Sequence, residues 1–484
     1  IKEVPCAGYV EKSEKPEKQD EDTALQAVKD LRIKNNADDS TDVLTADFGQ
    51  VLAGVVKIRV NAPEDTVITI EHGEVLDKDG NFVSNIKGLY KDQKNRFVCG
   101  KGEQTFVPHF TYQGFRYARI TGVRRDQILE LSALVYATPL KKLITFKTDN
   151  EMINALQTAI ENSAVSNMIS VPTDCPQREK LGWTGDINIF TRTGSFIFDL
   201  RDFLKNWLAQ VRLDQFPDGE IPVVVPNHPS QDKMQRGMSG GTNSSAAWSD
   251  CIVFMPLNLY KIYGDISFLQ DNFDAMEKWM SYVQNQTSDS LWIHRFHFGD
   301  WLIPSLRDEE DGVMKGVMAT ADITGSCYYS LACGCMEEIC GILGKKKKAA
   351  YYRDLKASAD EAIVRAYVYD DGKVGVHAGQ SKCSDQDDSR EEGNRSEEKE
   401  LQGLYVVVLM CGAIKDPELK DKVISHLVRL IEENGYTLDC GFSSVGFLLD
   451  VLYDNGHKDA AYKVLMNTDA PSWLYMIKIG RAHV

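Results

Sequence analysis

The spacing of apolar residues changes once along this chain, near residue 145, and that change constrains the fold class more than any single motif. Before it, Val56-Lys57-Ile58-Arg59-Val60 and Val67-Ile68-Thr69-Ile70-Glu71 carry β-branched residues in partial alternation, the pattern of a half-buried strand. Asn61-Ala62-Pro63-Glu64-Asp65 between them and Asp79-Gly80 after them are turn-formers. Arg96-Phe97-Val98-Cys99 and Phe115-Arg116-Tyr117-Ala118-Arg119-Ile120 extend the pattern. Residues 43–140 are therefore expected to form an antiparallel β-sandwich. After the change, Ile153, Leu156, Ile160 and Ala164 share one helix face. So do Leu204, Trp207, Leu208 and Val211, then Phe273, Met276, Met280 and Val283, and later Val423, Leu427, Leu430 and Ile431. Helices alternating with loops to the end predict an (α/α)6 barrel over residues 145–478.

Two stretches fit neither period. Residues 1–42 are rich in Lys, Glu and Asp with few large apolar residues, so they read as a linker or the remnant of an upstream domain. Ser384 to Glu400 is dense in Asp, Glu, Ser and Arg and is expected to be a solvated loop rather than a binding site. The chain does not begin with Met, and Ile479-Gly480-Arg481-Ala482-His483-Val484 reads like one frame of a sequencing adapter. Residues 479–484 are accordingly expected to be a non-native tail on a polypeptide truncated at its C-terminus.

Charge and cysteine usage narrow the partners. With 55 Lys and Arg against 71 Asp and Glu, the net charge is −16; this argues against nucleic acid or an anionic membrane surface and suits a neutral substrate such as a sugar. No apolar run is long enough to span a bilayer. The 11 cysteines show neither disulfide-framework nor zinc spacing. Cys327, Cys333, Cys335 and Cys340 sit in an apolar run and read as buried thiols. That usage points to a reducing compartment, the cytoplasm. There is no Gly-rich phosphate loop and no metal-ligand spacing, so neither cofactor nor metal is expected.

The chemistry concentrates in Pro172-Thr173-Asp174-Cys175-Pro176-Gln177-Arg178-Glu179-Lys180-Leu181-Gly182-Trp183-Thr184-Gly185-Asp186. Pro176 and two glycines make it irregular, and it packs three carboxylates, a guanidinium and an indole into one loop. Glycoside cleavage needs such a set: one carboxyl to protonate the leaving oxygen and a second to act at the anomeric carbon or its water. Further acids can accept from sugar hydroxyls, and an indole can cover an apolar sugar face. Crowded acids raise the pKa of the least solvated member, which keeps a Glu protonated near neutral pH. The alternative is a surface loop whose acids and bases merely pair. Cys175 reads as filler, since no His lies nearby in sequence to activate it.

The stretch from Asp174 to Asp186 closely resembles the signature of glycoside hydrolase family 78, the bacterial α-L-rhamnosidases. Asp47-Phe48-Gly49-Gln50 with Gly54, His72-Gly73-Glu74 and Gly114-Phe115-Arg116-Tyr117 resemble the family's β-domain. Gly219-Glu220-Ile221-Pro222, Ala247-Trp248-Ser249-Asp250, Phe298-Gly299-Asp300-Trp301-Leu302 and Pro471-Ser472-Trp473 follow in the family's order. The resemblance covers residues 43–478.

It implies that Glu179 is the general acid and that Asp174, Arg178, Trp183 and Asp186 line a rhamnose pocket. Trp248, Asp250, Asp300 and Trp301 fall in motifs resembling further pocket walls. For Trp248 and Trp301 core packing remains open beside sugar stacking; for Asp300 a capping role remains open beside the pocket. The family's catalytic base is a Glu expected shortly after Lys478, where the suspected tail stands. Glu432 and Glu433 are not substitutes for it, because they lie in an ordinary amphipathic helix. The resemblance thus implies hydrolysis of terminal α-L-rhamnose with inversion, by a chain that lacks its base as written. Two alternatives stay open: a glycosidase of the same fold acting on another sugar, and a carbohydrate-binding protein without catalysis.

Overall fold

The computed structural model describes residues 2–6, 8–9, 43–84, 93–375 and 400–479. It divides into two compact units, one from residues 1–140 and 157–182, the other from 141–156 and 183–481.

The first unit is built on an antiparallel sheet of β1 (Lys2–Pro5), β2 (Gly8–Tyr9), β3 (Leu44–Asn61), β4 (Val67–Gly73), β5 (Lys94–Val98), β6 (Glu103–Phe106), β7 (Gln113–Thr121) and β8 (Ile128–Val135). The order is β1-β8-β3-β7-β4-β5, with β2 and β6 also on β3. β3 organises it, because its 18 residues are long enough to serve two sets of neighbours. Leu44–Asp47 and Leu52–Gly54 pair with β7, whereas Gly54–Val60 pair with β8. An irregularity between Asp47 and Leu52 separates the two parts, and such irregularities add bend and twist. Gly54 is needed where β8 crosses, since a Cβ there would stand 2.0 Å from the Leu134 carbonyl oxygen.

The expected two-layer sandwich is therefore realised as one curled sheet. From β3 it passes through β7 and β4 to β5, and the chain then returns as β6 onto β3. The alternating residues of β3, β4 and β7 point into one core of Leu52, Val56, Ile58, Ile68, Ile70, Phe115 and Ile120, among others. Asp47 and Arg116, both in motifs singled out above, form a paired bond across β3 and β7 (2.9 Å for each arm).

The reading of residues 1–42 as linker needs correction at its start. Lys2–Pro5 pair with Ser132–Val135, and Gly8–Tyr9 with Ala46–Asp47. Residues 1–10 hold only two charged side chains and differ from the charge-rich run that starts at Glu11, but at four and two residues the strands are too short to show a period. Residues 10–42 lie outside the described residues, as do 376–399, which hold most of the acidic stretch, and 480–484.

The chain crosses into the helical unit through α1 (Glu151–Asn167), the short pair β9 (Met168–Ile169) and β10 (Val171–Pro172), and the acid-rich loop. Then follow α2 (Thr184–Ile197), α3 (Arg201–Asp214), α4 (Pro229–Met238), α5 (Cys251–Tyr263), α6 (Ser267–Gln284), α7 (Gly312–Ile342), α8 (Lys346–Tyr367), α9 (Gln402–Cys411), α10 (Pro417–Glu433), α11 (Leu448–Asp454), α12 (Lys458–Met466) and α13 (Trp473–Lys478). Each predicted apolar face lies on a helix. Leu204, Leu208 and Val211 of α3 are buried, each adding about 1.5–3 kcal/mol over exposure. In α10, Asp416 caps the start by accepting from Glu418 N at 3.0 Å, and Pro417 occupies the first turn. Glu432 and Glu433 fall on its exposed face. α5 is buried almost all round and ends at Gly264, whose φ of +70° forms a left-handed cap.

The long pair α7 and α8 packs together, α2 and α6 flank α5, and α9 lies against α7 and α10. Among the described residues no helix is long and apolar enough to cross a membrane. Cys327, Cys333 and Cys340 are buried in α7, and Cys335 is half-buried.

Candidate active site

In the first unit, the loop after β10 is held irregular by Pro176 and by Lys180, whose φ is +56°. It is closed by its own first acid: Asp174 N donates to the Leu181 carbonyl (3.1 Å), and Leu181 N donates back to Asp174 Oδ1 (3.0 Å). Cys175 Sγ accepts from Glu179 N at 3.3 Å, so the thiol props the turn that carries Glu179. Burial pushes that thiol up to about 12, which leaves it without nucleophilic thiolate character at neutral pH.

Arg178 reaches Glu179 Oε1 with Nε at 3.1 Å and a terminal nitrogen at 2.5 Å. The Glu179 side chain is 16% exposed and that of Arg178 57%; the guanidinium therefore covers the carboxylate from the solvent side. Burial, with the charge of Glu179 adding to it, pushes Asp174 up to about 6. One ligand atom each of Asp174, Cys175 and Glu179 lies within 4.8 Å of the others, a spacing a cation can accept. The set fits a cation poorly, because the thiol is held protonated and Arg178 already engages Glu179.

In the helical unit, Trp183 immediately precedes α2, where Thr184 N and Oγ1 both bond the Val223 carbonyl (2.8 and 3.1 Å). Asp186 stands half-buried in the first turn of α2, the end at which a negative charge favours the helix. Phe298 gathers the indoles: its ring centroid lies 5.9 Å from Trp183, 4.6 Å from Trp248 and 5.5 Å from Trp301. Trp248 also stacks on Phe442 at 5.0 Å. Trp248 is only 4% exposed, whereas Trp183 and Trp301 are half-buried and keep surface for a ligand.

Two acids expected in the pocket wall are buried among protein partners. Asp250 is fully buried, accepting from Trp279 Nε1 at 3.0 Å and Ala247 N at 2.8 Å; burial pushes it up to about 7. Asp300 is equally buried and accepts from Gly441 N (2.8 Å), Ser444 N (3.0 Å) and Ser444 Oγ (2.7 Å). Burial, opposed by these bonds, raises it to about 6. Asp300 thus caps a remote turn rather than the start of its own segment. Both carboxylates are bonded to protein groups, and Trp248 is buried beside Phe298 and Phe442. Residue type shows what a side chain can bond, not whether distant backbone has claimed it.

The structure therefore brings Asp174, Arg178 and Glu179 together, and separately Trp183, Trp248 and Trp301 around Phe298. Phe298 and Phe442 were not singled out from the sequence as site residues, nor were Tyr112, Gln177 and Lys180, which dock the acid loop on the sheet. The Phe298 ring sits inside a quoted motif, and that position was the available signal for it.

Comparison with known proteins places the chain in a family. The bacterial alpha-L-rhamnosidase 6 hairpin glycosidase domain matches residues 141–483, and the bacterial alpha-L-rhamnosidase concanavalin-like domain matches residues 37–137. The chain belongs to the bacterial α-L-rhamnosidase six-hairpin glycosidase family. An alpha-L-rhamnosidase of Streptomyces avermitilis is 32% identical over 462 residues, covering 95% of this chain and 40% of that protein. One of Formosa agariphila is 28% identical, over 91% of this chain and 44% of its own length. The crystal structure of the Streptomyces avermitilis enzyme complexed with L-rhamnose superposes with a TM-score of 0.79 at 29% identity, covering 100% of this chain and 40% of that one. The chain thus spans less than half the length of these relatives.

Proposed function

We propose that the protein hydrolyses terminal non-reducing α-L-rhamnose from rhamnosides, with inversion, using Glu179 as general acid, and that its helical hairpins form an (α/α)6 barrel. The observation that carries this reading is the acid loop. It holds Glu179 half-buried under Arg178 and beside Asp174, in a chain of the α-L-rhamnosidase family. Glu179 protonates the glycosidic oxygen while a base-activated water attacks the anomeric carbon from the other face, which requires the two carboxyls to stand about 6.5–9.5 Å apart. Arg178 opposes the build-up of negative charge around Glu179. Asp174 and Asp186 accept from sugar hydroxyls, and Trp183 and Trp301 cover apolar sugar surface. Trp248, Asp250 and Asp300 are positioning residues. No described acid is assigned the base's role. The substrates are neutral rhamnose-containing glycosides or oligosaccharides; the ten free cysteines among the described residues support a reducing, cytoplasmic setting.

The test is release of nitrophenol from p-nitrophenyl α-L-rhamnopyranoside by the whole gene product and its Glu179→Gln variant. Turnover by the parent and a clear loss in the variant are expected; because nitrophenolate leaves readily, a partial loss still fits an acid role. Activity on a different glycoside alone would move the reading to another sugar. Saccharide binding with no turnover on any glycoside would leave a binding protein.

A further inference from the structure

The peptide that carries Glu179 is fastened on both sides to the sheet of its own unit. Ahead of Glu179, Pro176 and Gln177 lie directly on the second residue of β7. A Cβ on Gly114 would stand 2.9 Å from Gln177 Cβ and Pro176 Cγ, and 3.0 Å from Gln177 N. Gln177 Nε2 also donates to Glu74 Oε2 at 3.5 Å, just beyond β4. Behind Glu179, Lys180 Nζ donates to the Tyr112 carbonyl and to Gln113 Oε1 at 3.4 Å. The same ammonium lies 4.7 Å from the centroid of the Tyr112 ring. Gly114 is itself held, its N–H donating to Gln93 Oε1 at 3.0 Å. Lys180 keeps a left-handed backbone, a conformation that persists only where surrounding contacts impose it.

We propose that Gly114, Tyr112 and Lys180 form a positioning clamp by which the sheet domain sets the place of the Glu179 carboxyl. The inference rests on the general-acid reading of Glu179 and adds positioning residues to it. None of the three is placed at the reacting atoms; they act through the backbone of residues 176–180. Their effect on the reaction follows from what an acid does. A leaving group that departs poorly needs its proton in the transition state, so a misplaced acid slows it most. A leaving group that departs readily needs little help and hardly registers the displacement.

The experiment compares Gly114→Ala and Lys180→Met with the parent, in the whole gene product, on methyl and on 2,4-dinitrophenyl α-L-rhamnopyranoside. The clamp predicts a fall in kcat of about tenfold or more on the methyl glycoside with KM little changed, against less than about threefold on the dinitrophenyl glycoside. Lys180→Arg keeps the charge and reach and should restore most of the loss. Equal loss on both substrates, or a change confined to KM, overturns the clamp, since general destabilisation acts without regard to the leaving group. Should Gly114→Ala fail to fold, Lys180→Met carries the comparison alone. If the parent cleaves neither substrate, the general-acid reading has failed, and the clamp is judged by amide exchange instead. Leu181 N–H is bonded to Asp174 and should exchange about tenfold faster in Lys180→Met; unchanged exchange overturns it.

Discussion

Asp300 bonds three donors that lie 141 and 144 positions away in the chain. Leaving buried donors unpaired costs about 1–3 kcal/mol each, so Asp300→Ala should lower stability by about 3 kcal/mol or more. Urea denaturation reads the change, and a loss under about 1 kcal/mol would mean that water replaces the carboxylate. Gly403 belongs to the same device: a Cβ there would stand 1.8 Å from Asp300 Oδ2. Asp250 makes a pH prediction. Burial raises it from 3.8 to about 7, so its favourable contribution is full below about pH 4 and is lost as pH rises through about 7. Tm of the parent should therefore fall more between about pH 5 and about pH 7.5 than Tm of Asp250→Asn, in which the group no longer titrates. Parallel slopes would show that Asp250 is ionised throughout.

At the scale of elements, the first turn of α2 is set by a close approach to the indole before α5. A Cβ on Gly185 would stand 2.6 Å from Trp248 Cδ1 and Nε1, while Asn188 Nδ2, further along α2, donates to the Ala247 carbonyl at 2.7 Å. Gly185→Ala should cost about 1–3 kcal/mol through overpacking; chemical denaturation checks it, and a neutral result would mean that Trp248 moves freely. This packing also marks what could be read in advance. The faces of α1, α3, α6 and α10 were legible because amphipathic helices announce themselves by spacing alone. Strands β3 and β4 were legible for the same reason. The curl of the sheet was not, because it depends on which neighbour each half of β3 takes. β1 and β2 were hidden because they are too short to show a period. In the acid loop, Asp174, Arg178 and Glu179 were legible as a local cluster. Core packing of Trp248 was one of two readings left open; the burial of Asp250 and Asp300 was not legible, since Trp279, Gly441 and Ser444 come from other helices and loops.

For the whole molecule, the net charge of −16 and the proposed neutral substrate make a joint claim about salt. Screening at about 0.15 M acts over about 8 Å and alters encounters between charged partners. KM for a neutral rhamnoside should then change less than about twofold between low and high ionic strength; a steep dependence would point to a charged substrate. The stereochemical outcome is a sharper test, because it separates one displacement from two. Asp174 and Glu179 have ligand atoms within 4.8 Å of one another, whereas a base that must leave room for water stands about 6.5–9.5 Å from the acid, and a retaining pair stands about 5–5.5 Å apart. The proposed mechanism keeps Asp174 on the sugar hydroxyls and takes its base from elsewhere. A single displacement reverses the anomeric centre once, so proton NMR of early product should show β-L-rhamnose before mutarotation. If α-L-rhamnose appears first, two displacements have occurred through a covalent glycosyl-enzyme intermediate, and the inverting reading is overturned.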